Sequence, residues 1–370
     1  MKKILYFVDR LRRGGIQSFL KVICANLSKE EFEISLLTLD DGNDYSELEK
    51  EFTCLGIKLF KFKGIWINRL SDYKKYSREL DNFFSKNKFE IAHINSGPKN
   101  YVVAKYAKKH GVKTIIYHSH NTDYQTRNIL KKAYGNFLKR KIIKYCSFFL
   151  ACSKEAGEWM YPKRIIYSPN FKIIHNPIIL SDYSFDAESR LKIRSENNLN
   201  DCFVVGNVGR LSNQKNQRFL LEITKELKAL YSNIKLVIVG TGELEGELKS
   251  LAQRIGVENE TVFLGFRKDV GCVLNSFDLF VLPSFFEGYP ISAIEAQANG
   301  LNCLMSDTIT KEAVLNPCSS LISLKKGPCF WANYINDNHI KKTHDRVVSS
   351  NLKEYDVVCV LNQLIDVYNL

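Results

Sequence analysis

The sequence predicts an α/β protein made of two doubly wound, Rossmann-like domains facing one another. Three features predict it. The chain has 370 residues, past the size at which a single hydrophobic core usually keeps growing. Short runs rich in Ile, Phe and Val alternate with longer helical patterns, as βαβ crossovers and a parallel sheet require. That alternation occurs in two separate series.

In the first series "KILYFV", "FEISLLTL", "EIAHIN", "TIIYHS" and "SFFLAC" read as buried strands. "MKKILYFVDRLRRGG" holds only five apolar residues in a row before Asp9, too few for a leader peptide and right for a first strand. The second series is "FVVGNVG", "KLVIVG", "TVFLG", "DLFVLPS" and "NCLMS". Between them Asn176–Asp201 is polar and reads as the hinge. The expected division is therefore 1–178, 179–350, and a helix within 351–370 able to pack back on the first domain.

Composition narrows the classes. An apolar fraction of 45% with 12% aromatics suffices for two packed cores and excludes fibrous or disordered chains. No run approaches the roughly 18 apolar residues needed to span a bilayer, so the expectation is a cytoplasmic protein. The ten cysteines are scattered without a C-x-x-C pair, which points to buried reduced thiols and away from structural zinc. Net charge is +13. From Lys99 to Lys144 there are twelve Lys or Arg residues against one acid, Asp123, a field for nucleic acid, a phospholipid surface or a phosphorylated substrate.

Parallel sheets bind ligands beyond the carboxyl ends of their strands, so residues just after the strands are the candidates. Arg210 and Lys215 follow "FVVGNVG", two cations suited to a diphosphate or simply solvated. "VIVGTGELEG" offers Gly240 in a phosphate loop or a tight turn. After "DLFVLPS", the stretch "FFEGYPISAIEAQANG" places Glu287 on a loop and Glu295 inside a helix. Pro290 is the expected first helical residue, the helix N-terminus a phosphate site, and Gly288 a point of close backbone approach. Two carboxylates flanking a phosphate site suit a sugar and a ribose joined by diphosphate, or are ordinary surface and helix acids. "TIIYHSHNT" ends in His118 and His120, core histidines or a functional pair. "LDDGND", at Asp40 to Asp44, has metal-like spacing but reads as a polar loop.

"FEGYPISAIE" resembles the E-x7-E motif of retaining glycosyltransferases of family 4, which have the GT-B fold. "RRGGIQSFL" looks like that family's glycine loop, "FFLACSKEA" like a strand end, and "VGNVGRLSNQKN" like its Arg-and-Lys donor loop. "LVIVGTGELEGELKSLAQRIGVENETVFLGF" continues the likeness, which covers nearly the whole chain and is closest to the branch that builds bacterial capsule and exopolysaccharide. The chain departs from the pattern at Asn302, usually proline, and at "SDTITKEAV", usually glycine-rich.

The resemblance implies two Rossmann-like domains facing across a cleft, the first binding acceptor and the second a nucleotide-sugar, here a UDP-sugar. Arg210 and Lys215 would neutralise the diphosphate and Glu295 would hold the ribose. Glu287 would orient the sugar, with backbone at Gly288, Tyr289 and Pro290 on phosphate. Gly14 and Gly15 would close over the diphosphate, and His120, with His118 second, would stand beside the reacting sugar. No metal or other cofactor is expected. The basic residues Lys131, Lys132, Lys139, Arg140, Lys141 and Lys144 suit docking to an anionic membrane that carries a lipid-linked saccharide acceptor, or form a solvated helix face. No recognition motif for nucleic acid accompanies them. Rival readings are a non-catalytic sugar-binding or scaffold subunit, a nucleotide-sugar epimerase of the same fold, and a nicotinamide-dependent enzyme resting on "GTGELEG".

Overall fold

Residues Lys2–Val8 form β1, and their side chains alternate between two apolar layers. Leu5 and Phe7 enter one core, and Ile4, Tyr6 and Val8 enter the other. A strand covered on both faces must be apolar throughout, as a parallel sheet demands. The computed structural model describes residues 1–370 except 12–13, 41, 43–45, 64–69, 123–127, 288 and 343–344.

The chain divides into two units, Met1–Ile178 with Glu354–Leu370, and Ile179–Lys353. In the first unit β1 is joined by β2 (Phe32–Asp40), β3 (Lys58–Lys63), β4 (Ile91–Asn95), β5 (Thr114–Ser119), β6 (Phe148–Ala151) and β7 (Phe171–Ile173). The sheet order is β3-β2-β1-β4-β5-β6-β7, with every pairing parallel. In the second unit β8 (Phe203–Val208), β9 (Ile234–Val239), β10 (Thr261–Gly265), β11 (Leu279–Leu282), β12 (Cys303–Ser306) and β13 (Ser320–Ile322) run β10-β9-β8-β11-β12-β13. Both are doubly wound, Rossmann-like sheets. Chain order reverses between β1 and β4 in one and between β8 and β11 in the other, and a crevice opens at such a switch point.

The sequence does not announce β3, β7 and β13, and all three lie at sheet edges. β3, "KLFKFK", buries Phe62 while its lysines face solvent, so the unbroken apolar run of a central strand is missing.

The polar stretch Asn176–Asp201 is a hinge only at its start. Most of it builds the second unit. Asp186 caps a helix, Ala187–Glu196, by accepting from the Glu188 and Ser189 amides. From that helix Arg190 and Arg194 reach the Asp278 carboxylate at 2.6 and 3.2 Å.

The C-terminal helix, Val357–Asn369, belongs to the first unit. Val360, Leu364, Val367 and Tyr368, three or four residues apart, join the core of Ile4 and Tyr6. All ten cysteines are free thiols, but only Cys24, Cys152 and Cys303 are buried. Cys54, Cys272, Cys318 and Cys329 are exposed, contrary to the expectation of buried thiols. Among the described residues no helix is long and apolar enough to cross a membrane.

Candidate functional site

The second unit's switch point is assembled by a turn that is fixed locally. After β8 the chain forms a short 3-10 turn, Asn213–Lys215, and then Asn216 adopts the left-handed conformation at φ 55°, which Asn tolerates better than most residues. The Asn216 side-chain amide donates to the Pro283 carbonyl at 3.1 Å, and the Phe285 backbone amide donates to the Gln214 carbonyl at 2.9 Å. The turn is thereby bolted to the segment following β11.

Lys215 Nζ then lies 2.7 Å from Glu287 Oε1, and Ser284 Oγ donates to the same oxygen at 2.6 Å. The side chains are 18% and 7% exposed, so the pair is largely out of water. Removing one partner of such a pair costs about 3–5 kcal/mol. Glu295, half-buried on the helix Ile291–Ala298, accepts from Tyr183 Oη at 2.8 Å. Burial raises its carboxyl pKa above the usual range, opposed by the Tyr183 hydrogen bond and the Lys215 charge. One ammonium thus acts on both glutamates.

Other expected residues are placed differently. Arg210 is 70% exposed and pairs with Glu243 at 2.9 Å rather than joining Lys215. Pro290 is the cap residue, not the first helical one. Its carbonyl accepts from Ala293 and Ile294, while the Ile291 amide bonds to the Tyr289 carbonyl at 3.0 Å. The helix end therefore offers fewer free amides than the sequence implied. Tyr289 is buried beside it, and Gly288 lies outside the described residues.

Gly240 has a structural reason to be glycine. At φ +133° a Cβ there would sit 2.1 Å from the Gly209 carbonyl oxygen, so the β8 and β9 loops touch backbone to backbone. No sequence pattern pointed to Tyr183, hidden in the presumed hinge, or to Ser284. Nor did any point to Ser292, whose hydroxyl is buried at the helix N-terminus without a partner.

The first unit's switch point is built differently. The Asp9 carboxylate, just past β1, accepts from Ser96 Oγ and Asn100 Nδ2 just past β4. Burial raises its pKa, while those bonds and the charges of Arg10 and Lys99 hold it down. Gly14 caps the helix Gly15–Asn26 in an extended conformation, φ 173°, and Gln17 ties that helix to the Arg10 carbonyl. Next to this lies a stack of histidines. His93 Nε2 is 3.2 Å from His118 Nδ1, and the His118 and His120 ring centroids are 4.1 Å apart. Burial drives all three down, His93 and His120 to about 3 and His118 well below its ordinary value. They are neutral imidazoles at physiological pH. His93 carries no motif, and only its strand register beside β5 reveals it. Among the described residues no group of three or more His, Cys, Asp or Glu side chains is arranged to hold a metal ion. Asp41 and Asp44 of the acidic loop lie outside the described residues.

The basic residues share one helix, Ile129–Tyr145, which buries Gly135, Leu138 and Ile142. Ile129 and Leu130 are each 80% exposed, with Tyr134 and Phe137 also exposed on the outward side. Lys131, Arg140 and Lys144 are exposed, and Lys132, Lys139 and Lys141 are half-buried. Lys139 sits 4.1 Å from the Trp159 ring centroid, beside a cavity of about 390 Å³ that Arg140 and Arg164 also line.

Two family models match the chain, "Glycosyltransferase Family 4" over residues 13–182 and "Glycosyl transferases group 1" over residues 189–317. The chain belongs to the family 4 glycosyltransferases. It is similar to EpsF of Bacillus subtilis (strain 168), 27% identical over 90% of this chain and 87% of the relative. It also resembles an Escherichia coli enzyme named UDP-Gal:alpha-D-GlcNAc-diphosphoundecaprenol alpha-1,3-galactosyltransferase, 28% identical over 82% of this chain and 78% of that one. Among solved structures, Anabaena HepE in complex with UDP and glucose superposes with a TM-score of 0.80 at 19% identity, covering 100% of both chains. The fold is GT-B, and the protein is a glycosyltransferase enzyme.

Proposed function

We propose that this glycosyltransferase moves a sugar from a UDP-sugar to a lipid-linked saccharide acceptor in surface polysaccharide synthesis, with retention at the anomeric carbon. The observation that carries this reading is the cluster at the β8/β11 switch point. There Lys215 bridges toward Glu287 and Glu295 beside the unpartnered Ser292 hydroxyl. In this role Lys215 neutralises the departing diphosphate, with Arg210 supplying further charge once it leaves Glu243. Electrostatic stabilisation of developing charge is usually the largest catalytic term. Glu295, held by Tyr183, takes the ribose hydroxyls, and Glu287 orients the transferred sugar. Backbone at Gly288, Tyr289, Pro290 and Gly240 approaches phosphate, and Gly14 and Gly15 serve the same end in the first unit. Lys215 and Arg210 supply the neutralising charge, so no metal is required.

The first unit is the acceptor side, and His120, with His118 behind it, meets the reacting sugar. The exposed apolar residues of the Ile129–Tyr145 helix, with Lys131, Lys132, Lys139, Arg140, Lys141 and Lys144, dock the enzyme on the anionic cytoplasmic face of the membrane. The E. coli relative's UDP-Gal donor and diphosphoundecaprenol-linked acceptor, and the UDP bound by HepE, support this assignment.

The test is thermal unfolding with UDP, GDP, ADP, CMP and NAD. A ligand at 100 times its Kd adds about 2.7 kcal/mol, a readable shift. UDP should shift the transition in the wild type and not in Lys215→Ala. A shift with NAD alone would overturn the proposal. Flotation on phosphatidylglycerol vesicles tests the docking face, and Leu130→Ser with Tyr134→Ser should abolish it while leaving the UDP shift intact.

A further inference from the structure

The histidine stack does not end at His93. His93 Nδ1 is 2.8 Å from the hydroxyl of Tyr368, which lies 2.6 Å from the hydroxyl of Tyr6. A hydrogen-bonded line therefore runs from β1, through the C-terminal helix, to His93 and His118. We propose that Tyr368 is a positioning residue for sugar transfer, setting the ring tautomers of His93 and His118 and through them holding His120. This rests on the reading of His120 as the histidine beside the transferred sugar.

Each imidazole is neutral, so each has one N–H and one lone pair. In such a line a single choice of direction sets every ring. If Tyr6 donates to Tyr368, Tyr368 donates to His93 Nδ1, and His93 Nε2–H donates to His118 Nδ1. His118 then carries its proton on Nε2. The reverse direction leaves the Tyr6 hydrogen without an acceptor in the line. The first direction leaves only the His118 Nε2–H unpaired; it uses the Tyr6 hydroxyl inside the line and is the one inferred, and the His93 and His118 tautomers test it.

His120 is set independently at its other end. Asn95 Nδ2 donates to the His93 carbonyl at 3.4 Å, which orients the amide so that its Oδ1 faces His120 Nε2 at 2.9 Å. On its other side the Asn176 side chain raises the His120 pKa against the larger effect of burial, so Asn95 and Asn176 both act on this ring. Phe19 closes the stack edge-on, 5.1 Å from His118 and 5.3 Å from His120. What keeps the His118 ring in register beneath His120 is its bond to His93, and Tyr368 anchors that bond.

The experiment uses the full chain labelled with 15N-histidine, its seven histidines assigned through single His→Gln variants. Expected in the wild type are Nε2–H tautomers at His93 and His118. Tyr368→Phe should shift the His93 and His118 signals to mixed tautomers. In that variant kcat should fall about tenfold at unchanged donor KM, measured as UDP release from UDP-glucose, UDP-galactose, UDP-GlcNAc and UDP-GalNAc. Tyr6→Phe keeps the Tyr368 donor and should preserve the tautomers. An Nδ1–H tautomer at His93 in the wild type overturns the proposal, as does Tyr368→Phe with unchanged tautomers or with kcat within twofold of wild type. Full activity in His120→Ala removes the underlying reading instead, and retention of the UDP thermal shift in Tyr368→Phe separates the two failures from loss of the donor site.

Discussion

Toward the ends of β4 and β5 three imidazoles stack without a countercharge, while beyond the ends of β8 and β11 a lysine stands among two carboxylates. Both sets gather near the carboxyl ends of sheets that share one strand order over six strands, the first sheet adding β7 at its edge, so topology decides where polar groups collect. What they become is decided by burial. In the first unit the histidines are nearly inaccessible and have shed their protons. In the second, Lys215 and Glu287 are largely out of water but face one another at 2.7 Å. Burial without a partner yields neutral hydrogen-bonding groups, and burial with a partner preserves ions.

Acid should separate the two most strongly. The histidines' folded pKa values lie below the ordinary 6.5, so the stability they contribute is complete above pH 6.5 and is lost as pH falls toward about 3. A pKa lowered by one corresponds to about 1.4 kcal/mol, so the loss reaches several kcal/mol. Glu295 works in the opposite sense, since a raised carboxyl pKa is penalised at high pH. Hydrogen exchange across this range should show β4 and β5 opening before β8 and β11. Simultaneous loss of protection would contradict the contrast.

Lys215→Ala should come next, leaving Glu287 buried and unpaired at about 3–5 kcal/mol, read as a lower denaturation midpoint. Lys215→Met, similar in length, tests whether packing or charge is responsible and should restore little. Gly240→Ala forces a Cβ into the Gly209 carbonyl at a positive φ. It should destabilise the second unit by about 2–3 kcal/mol and leave exchange in the first unit unchanged. The smallest effect is expected from Tyr183→Phe, which removes one hydrogen bond to a carboxylate. UDP affinity measured by calorimetry should drop by about tenfold, near 1.4 kcal/mol. An unchanged Kd would detach Glu295 from the nucleotide.

Much of this arrangement could be read from the chain. The central strands were visible because a strand covered on both faces is apolar at every position, and the residues following them marked both switch points. The edges were not visible, because β3 and β7 are short, carry lysines and are for the most part only partly buried. Glu287, Glu295, Lys215, His118 and His120 stood out through spacing and resemblance. Their partners did not. Tyr183 meets Glu295 across 112 positions and Tyr368 meets His93 across 275, and no local pattern encodes such a meeting. Arg210, in the same loop as Lys215, is exposed and pairs with Glu243, a partner that its place in the sequence did not reveal.

The return of Val357–Asn369 to the first unit has a consequence for synthesis. Translation delivers that helix only after Ile179–Lys353 has been made, about 175 residues, or roughly 10–35 s at typical elongation rates. Throughout that interval Ile4, Tyr6 and His93 lack the wall that Val360, Leu364 and Tyr368 supply. The nascent first unit therefore waits with an open apolar face, and the histidine line is completed only when the second unit has already emerged. Order of manufacture withholds the Tyr368 anchor of that stack until both halves of the enzyme exist.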